Sequence, residues 1–253
     1  MTSQLRSTSV IIPALNEEDT VAAVVESVLA DEPLEVIVID SDSTDRTAVR
    51  AQAAGATVLN WRDVLPEYQP RTGKGEALWR GVAAARGDIV AFVDADLIDP
   101  RPHIVRDLVE PFHDPAIQLV KAHYRRALHG QPTGGGRVTE LTAKPLLRML
   151  FPELSAIKQP LSGEYAMRRT AARTVPFAEG YAVEVAILID VCARWGIGAI
   201  AETDLGDRAH RNRPLSDLSA MADVVAATII SRSDRDKYAA LAPHERPPLA
   251  NIF

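Results

Sequence analysis

Short apolar, β-branched runs alternate with segments of helical period over residues 9–93. Ser9-Val10-Ile11-Ile12-Pro13 reads as a buried strand, and Glu17 to Leu29 as a helix with Ala, Val and Leu on one face. Leu34 to Ile39 predicts a second strand. The polar loop Asp40-Ser41-Asp42-Ser43-Thr44-Asp45 then supplies N-cap candidates for a helix through Ala54. Thr57-Val58-Leu59 predicts a short third strand, Gly75 to Ala85 a helix and Asp88 to Val93 a fourth strand. Such alternation builds parallel βαβ units, hence an α/β fold whose mostly parallel sheet is flanked by helices and binds ligands beyond the carboxyl ends of its strands.

Beyond Pro100 the alternation loosens. Arg106 to Phe112 has helical character, Ile117 to His123 reads as a strand, and Gly130 to Gly136 is rich in Gly and Pro. Val138 to Leu150 predicts a helix, Tyr165-Ala166-Met167 a short strand, Val183 to Trp195 an amphipathic helix, Ala199 to Leu205 a strand and Asp217 to Ser231 a last helix. The tail, with Pro243, Pro247 and Pro248, reads as extended. A chain of 253 residues accommodates one main α/β domain with a C-terminal extension.

Composition removes some possibilities. A net charge of -6 gives no basic footprint for nucleic acid. No stretch reaches the roughly 18 apolar residues of a membrane span, and Met1 to Arg6 enters the first strand without a signal-peptide core, so the expectation is a cytoplasmic protein. The lone cysteine, Cys192, excludes an intramolecular disulfide and a Cys-rich zinc site; its apolar surroundings make it a small buried hydrophobe.

Chemistry gathers at the predicted strand ends. The fourth strand runs into Asp94-Ala95-Asp96, and on a strand residues i and i+2 share a face, so both carboxylates can address one site. Their hard oxygens suit Mg²⁺ or Mn²⁺, which can bridge the phosphates of a nucleoside diphosphate; the competing reading is a turn that ends the strand. Asn16 serves equally as an N-cap or as a ligand of a nucleobase and ribose, beside Glu17, and Asp40-Ser41 faces the same crevice. Asp42 and Asp45 read as loop and cap residues. Lys74, between Gly73 and Gly75 at a helix start, offers a cation where an anion would bind, although no Walker pattern is present. Gly134-Gly135-Gly136-Arg137-Val138-Thr139 repeats that logic, and Arg208 to Arg213 sets His210 among guanidiniums, a metal-capable imidazole beside Asp96.

The ordered set PALNEE, DSDSTD, TGKGEALWR, VDADLIDP, GGGRVTEL, LSGEYA, GYAVEV and AHRNRPL resembles the actinobacterial glucosyl-3-phosphoglycerate synthases over about residues 8–232. These are retaining glycosyltransferases of the GT-A fold, a Rossmann-like sheet with a C-terminal acceptor-binding extension. The resemblance implies glucose transfer from UDP-glucose to 3-phosphoglycerate, with Mg²⁺ or Mn²⁺, by a homodimer. It implies a nucleotide-sugar half over 1–125, an acceptor-binding and metal-completing half of the same domain over 126–232, and a tail over 233–253. Pro13, Ala14, Leu15 and Glu17 would line the uridine site, with Ser41 nearby and Lys74 on the nucleotide side. Asp96 and His210 would hold the metal while Asp94 and Ala95 meet the ribose and diphosphate. Gly136, Arg137 and Thr139 would bind phosphoglycerate with Asn212 as a helper. Glu184 would grip the glucose hydroxyls, Arg208 and Arg213 would steady phosphate charge, and Leu161 of LSGEYA would stand at the catalytic centre with Asp96, Glu184, His210 and Arg208. The chain departs from the mycobacterial pattern in lacking a long N-terminal extension, in a shorter loop at Leu128 to Thr133 and in its tail. Other readings are mannosyl transfer from GDP-mannose or by a donor-promiscuous relative, a sugar nucleotidyltransferase, and a catalytically silent GT-A binding protein.

Overall fold

The computed structural model describes residues 2–126, 136–208 and 215–233. The first half runs α1 (Thr2–Leu5), β1 (Thr8–Ala14), α2 (Val21–Leu29), β2 (Glu35–Asp40), α3 (Thr47–Ala53), β3 (Thr57–Asn60), α4 (Lys74–Ala84), β4 (Ile89–Phe92), α5 (Ile104–Val109) and β5 (Leu119–Arg126). The second runs through a π-helical segment (Thr139–Ala143) to α6 (Lys144–Leu150), β6 (Tyr165–Arg168), α7 (Arg169–Ala172), α8 (Val183–Trp195), β7 (Ile200–Arg208) and α9 (Leu215–Ser231). All seven expected strands form. Their sheet has the order β3-β2-β1-β4-β6-β5-β7. Only β6 runs against the rest, antiparallel to both β4 and β5. Strands from both halves therefore share one sheet.

Strand residues alternate between two cores. Ile11, Ile37, Ile39, Phe92, Leu119 and Tyr165 face the layer holding buried residues of α4, α6, α8 and α9. Val10, Ile12, Val36, Val38, Ala91 and Val120 face buried residues of α2, α3 and α5. The near-continuous apolar character of β1, β2 and β4 follows from burial on both faces. Pro13 is tolerated in the interior strand β1 for a local reason. Ala14 O accepts from Ser41 N toward β2, whereas Ile11 O accepts from Val93 N toward β4. Pro13, two residues beyond Ile11, thus turns its missing donor to the side where the β4 ladder has ended at the Ile11–Phe92 pair.

Two expectations change. The helix expected from Glu17 starts at Val21, with Thr20 at its N-cap, so Asn16 is not the cap. Asn16 instead takes a left-handed φ of 57°, a conformation Asn tolerates. Its Oδ1 accepts from Thr44 N at 2.9 Å, its own N–H donates to Ser43 Oγ at 3.0 Å, and Glu17 N donates to Thr47 Oγ1 at 2.8 Å. These bonds lace the loop after β1 to the loop after β2. The helix expected over 138–150 opens in the π-helical segment because Pro145, at the start of α6, cannot make an ordinary i→i−4 bond. Residues 127–135 of the glycine-rich loop, residues 209–214 and the tail beyond Ser233 lie outside the described residues.

Helix α4 sits close on the sheet because Gly81 has no side chain. A Cβ there would stand 2.3 Å from Ile11 Cγ2. Gly81→Ala is expected to lower stability by about 1–3 kcal/mol through overpacking, despite the gain of about 1 kcal/mol in helix propensity. Urea unfolding measures this, and an unchanged or raised midpoint would refute the close contact.

Candidate active site

The parallel strands point one way, so the carboxyl ends of β1, β2 and β4 form one edge of the molecule. Pro13, Ala14 and Leu15 stand at the end of β1, Asp40 and Ser41 at the end of β2, and Asp94 to Asp96 just past β4. Antiparallel β6 brings its N-terminal end, Ser162-Gly163-Glu164, to the same edge. Ala14 and Ala95 are buried, Leu15 is exposed, and Ser41, Glu17, Asp94 and Asp96 are partly buried.

Phe92 pairs with Tyr165, so two residues further along β4 and two residues back from β6 Asp94 comes to lie over Gly163. A Cβ on Gly163 would fall 2.1 Å from Asp94 Oδ2. The glycine of LSGEYA leaves the space that the carboxylate occupies.

Lys74, the first residue of α4, reaches this carboxylate. Its Nζ lies 2.5 Å from Asp94 Oδ1 and 2.6 Å from Glu184 Oε1, where Glu184 sits in the first turn of α8. Burial alone would lower the lysine's pKa, but the two carboxylates reverse this and hold it well above its usual value. Two glycines make the approach possible: a Cβ on Gly73 would meet Gly180 Cα at 2.7 Å, and one on Gly75 would meet the Ala178 carbonyl oxygen at 1.8 Å. The Lys74 loop is thereby seated on the segment leading into α8. Placing a cation between glycines identified a charged site, but the anions on Lys74 here are the protein's own.

A second lysine lies beneath. Lys121 of β5 has no exposed surface, donates from Nζ to Ser162 O at 2.8 Å, and lies 4.6 Å from the centre of the Tyr165 ring. Burial pushes it down to about 8, with Lys74 adding to the shift and Glu184, Glu164 and Asp94 opposing it. Burial, and then the charge of Glu184, pushes Tyr165 well above its usual value. Sequence reading passed over Lys121, Gly163 and Tyr165; a lone charge inside the apolar run Leu119-Val120-Lys121-Ala122 was the available signal.

The remaining predicted residues fall in three groups. Leu161 is partly buried against the core layer that holds α4, α6, α8 and α9. Gly136, with φ 74°, precedes the helical segment in which Arg137 is partly exposed and Thr139 is buried. Arg208 is placed by its backbone at the end of β7, while His210, Asn212 and Arg213 lie outside the described residues. Among the described residues no group of three His, Cys, Asp or Glu side chains could hold a metal ion. Asp96 offers a hard oxygen donor at the strand end, a donor type that fits Mg²⁺ or Mn²⁺ when further ligands come from elsewhere. Cys192 is buried, and burial raises its pKa, as expected of a packing residue. Asp42 pairs with Arg62, the loop role expected of it, whereas the N-cap of α3 is Arg46 and Asp45, one residue earlier, accepts from Thr47 N at 2.9 Å.

Residues 9–171, which span this acidic edge and Lys74 seated between its glycines, match the glycosyl transferase family 2 model, and the protein is a glycosyltransferase. The glucosyl-3-phosphoglycerate synthase of Mycobacterium tuberculosis H37Rv is 53% identical over 238 residues, covering 90% of this chain and 74% of the relative. That of Petrotoga mobilis is 45% identical, covering 90% and 73%. A crystal structure of the M. tuberculosis enzyme with Mn²⁺, UDP-glucose and phosphoglyceric acid superposes with a TM-score of 0.84 at 52% identity, covering 91% of this chain and 81% of the other. Another, with Mn²⁺, UDP and glucosyl-3-phosphoglycerate, gives 0.85 at 52% identity, covering 92% and 81%. The chain belongs to the glucosyl-3-phosphoglycerate synthases.

Gly163→Ala is expected to displace Asp94 from Lys74 and to cost about 1–3 kcal/mol; an unaltered Lys74–Asp94 pair in the variant's crystal structure would contradict the packing argument. Lys121 carries a pH signature. Burial holds its pKa in the folded protein at about 8, below the ordinary lysine value of 10.5, so between those values the unfolded chain holds the proton and the folded chain does not. Stability from this group therefore rises with pH through that window. At pH 9 unfolding of the protein should take up about one proton more than unfolding of Lys121→Met. Calorimetry in buffers of different ionisation enthalpy measures this, and equal uptake would refute the assignment.

Proposed function

We propose that the protein transfers glucose from UDP-glucose to 3-phosphoglycerate, with retention at the anomeric carbon and a divalent cation, Mg²⁺ or Mn²⁺, as cofactor. The observation that carries the reading is the strand-end cluster of Lys74, Asp94 and Glu184, in a chain whose relatives carry this activity in their names and whose M. tuberculosis relative is described with Mn²⁺, UDP-glucose and phosphoglyceric acid.

Pro13, Ala14, Leu15, Glu17 and Ser41 line the uridine, and Asp94 and Ala95 meet the ribose and diphosphate. Asp96 and His210 hold the metal, which supplies charge stabilisation on the departing UDP. Lys74 serves the nucleotide side, and Arg208 and Arg213 steady phosphate charge. Glu184 grips the glucose hydroxyls. Its Oε1 is engaged by Lys74, which supports a binding role over a nucleophilic one. The acceptor hydroxyl, held by Gly136, Arg137, Thr139 and Asn212, then attacks from the face that UDP leaves, beside Leu161. The bond from the anomeric carbon to phosphate oxygen breaks, a bond to the acceptor oxygen forms, and the hydroxyl proton passes to the β-phosphate.

On this reading residues 1–125 serve the donor and 126–232 the acceptor and the metal within one domain, with 233–253 as a tail. The protein works as a cytoplasmic homodimer without nucleic-acid or membrane partners. No helix among the described residues is long and apolar enough to cross a membrane.

Purified protein with Mn²⁺, UDP-glucose and 3-phosphoglycerate is expected to release UDP and yield an α-configured product by NMR. Asp96→Ala and His210→Ala should each reduce turnover by about 100-fold or more. Arg137→Ala should raise the KM for 3-phosphoglycerate by about tenfold or more, with the KM for UDP-glucose little changed. No turnover with this donor and acceptor would overturn the reading, and an unchanged acceptor KM would remove Arg137 from the acceptor site.

A further inference from the structure

Lys121 occupies a position where a fold alone would place an apolar side chain. It stands on the same sheet face as Leu119, and across the sheet it pairs in register with Tyr165 on β6 and Glu202 on β7. Burying an ammonium costs several kcal/mol that a methionine of similar length would avoid. The charge needs an occupation that offsets this cost.

The surroundings supply one. Glu184, Glu164 and Asp94 favour the charged form of Lys121, and Lys74 opposes it. Glu164 and Glu184 are buried, and Asp94 is largely so. The ammonium also donates to Ser162 O, at the end of a turn closed by the bond from Ser162 N to Gln159 O. Leu161 lies within that turn, and Gly163, which receives Asp94, follows it directly.

We infer that Lys121 is a positioning residue for the donor sugar: from beneath the site its bond to Ser162 O fixes the 159–162 turn and the Gly163 that follows it, against which Asp94, and through Lys74 also Glu184, are seated, so that Glu184 meets the glucosyl hydroxyls in a set place. The inference rests on the proposed role of Glu184 in gripping glucose. Lys121 itself touches no substrate. Its effect should therefore be larger on the glucosyl part of donor binding and on turnover than on the binding of UDP itself.

The test compares Lys121→Met, Lys121→Gln, Glu184→Gln and the double variant K121M/E184Q with the wild type. Binding of UDP and of UDP-glucose with Mn²⁺ is measured by calorimetry, together with kcat and both KM values. Lys121→Met and Lys121→Gln should bind UDP within about threefold of wild type, lose about tenfold or more of the affinity that the glucosyl group adds, and lose kcat by about 30-fold or more. The KM for 3-phosphoglycerate should stay within about threefold. In the double variant the loss should be smaller than the product of the single losses, because both substitutions act on one interaction. A lysine that only supports the fold would lower the melting temperature and leave the UDP to UDP-glucose affinity ratio unchanged, and that result overturns the inference. If Lys121→Met does not fold, the double variant should, since it removes a buried charge together with its counter-charge; a double variant no more stable than Lys121→Met overturns the coupling. Failure of the underlying reading is distinguishable: Glu184→Gln would then leave the glucosyl increment intact. If Glu184→Gln loses that increment and the Lys121 variants keep it, the inference about Lys121 alone falls.

Discussion

Lys74 bridges Asp94 and Glu184, residues that arrive at one point from a strand end and a helix start 90 positions apart in the chain. Much of the local architecture serves this contact. Gly73 and Gly75 let the loop before α4 lie on the backbone of 178–180, and Gly163 leaves room for the Asp94 carboxylate. Gly81 lets α4 settle on Ile11 of β1. Removing one member of such a buried set leaves the others without compensation, which typically costs about 3–5 kcal/mol. The cluster thereby joins β4, α4 and α8 by electrostatics where the hydrophobic layers alone would not specify a side-chain geometry.

The same contact explains how a charged edge arises from an ordinary βαβ arrangement. Parallel strands deliver their carboxyl ends together, and a single reversed strand, β6, delivers its amino end among them. That reversal puts Ser162, Gly163 and Glu164 beside Asp94, and puts Tyr165 in the row between Phe92 and Lys121. The loops after β1 and β2 are tied together by Asn16, Glu17, Ser43 and Thr47. A binding edge cross-linked in this way is arranged before a ligand arrives, which favours electrostatic stabilisation without reorganisation.

What could be read from the residues divides along physical lines. The strands were legible because each is an apolar run short enough to exclude a helix, and α8 was legible to its end residues because its apolar period is unbroken. Asp94-Ala95-Asp96 was legible as a strand-end pair. Asn16 misled because the same residue type favours helix caps and left-handed loop positions, and only the loop after β2 decides between them. The direction of β6 was not legible, since an apolar run carries no sign of its orientation. The partners of Lys74 were hidden for a similar reason: the flanking glycines announce a close approach, yet nothing local names Glu184 as its target. Lys121 was visible as a charge in an apolar run, but its meaning depends on carboxylates contributed by three other elements.

We propose that the edge formed by Asp94, Asp96 and Glu184 is the donor site, with the lysines behind it setting its charge. Anomalous diffraction at the manganese edge, from crystals grown with Mn²⁺ and UDP-glucose, tests it most directly. A manganese peak on the Asp96 carboxylate is expected, with glucosyl hydroxyls within hydrogen-bonding distance of Glu184. A manganese ion held away from Asp96, or a glucosyl ring that does not reach Glu184, would contradict it.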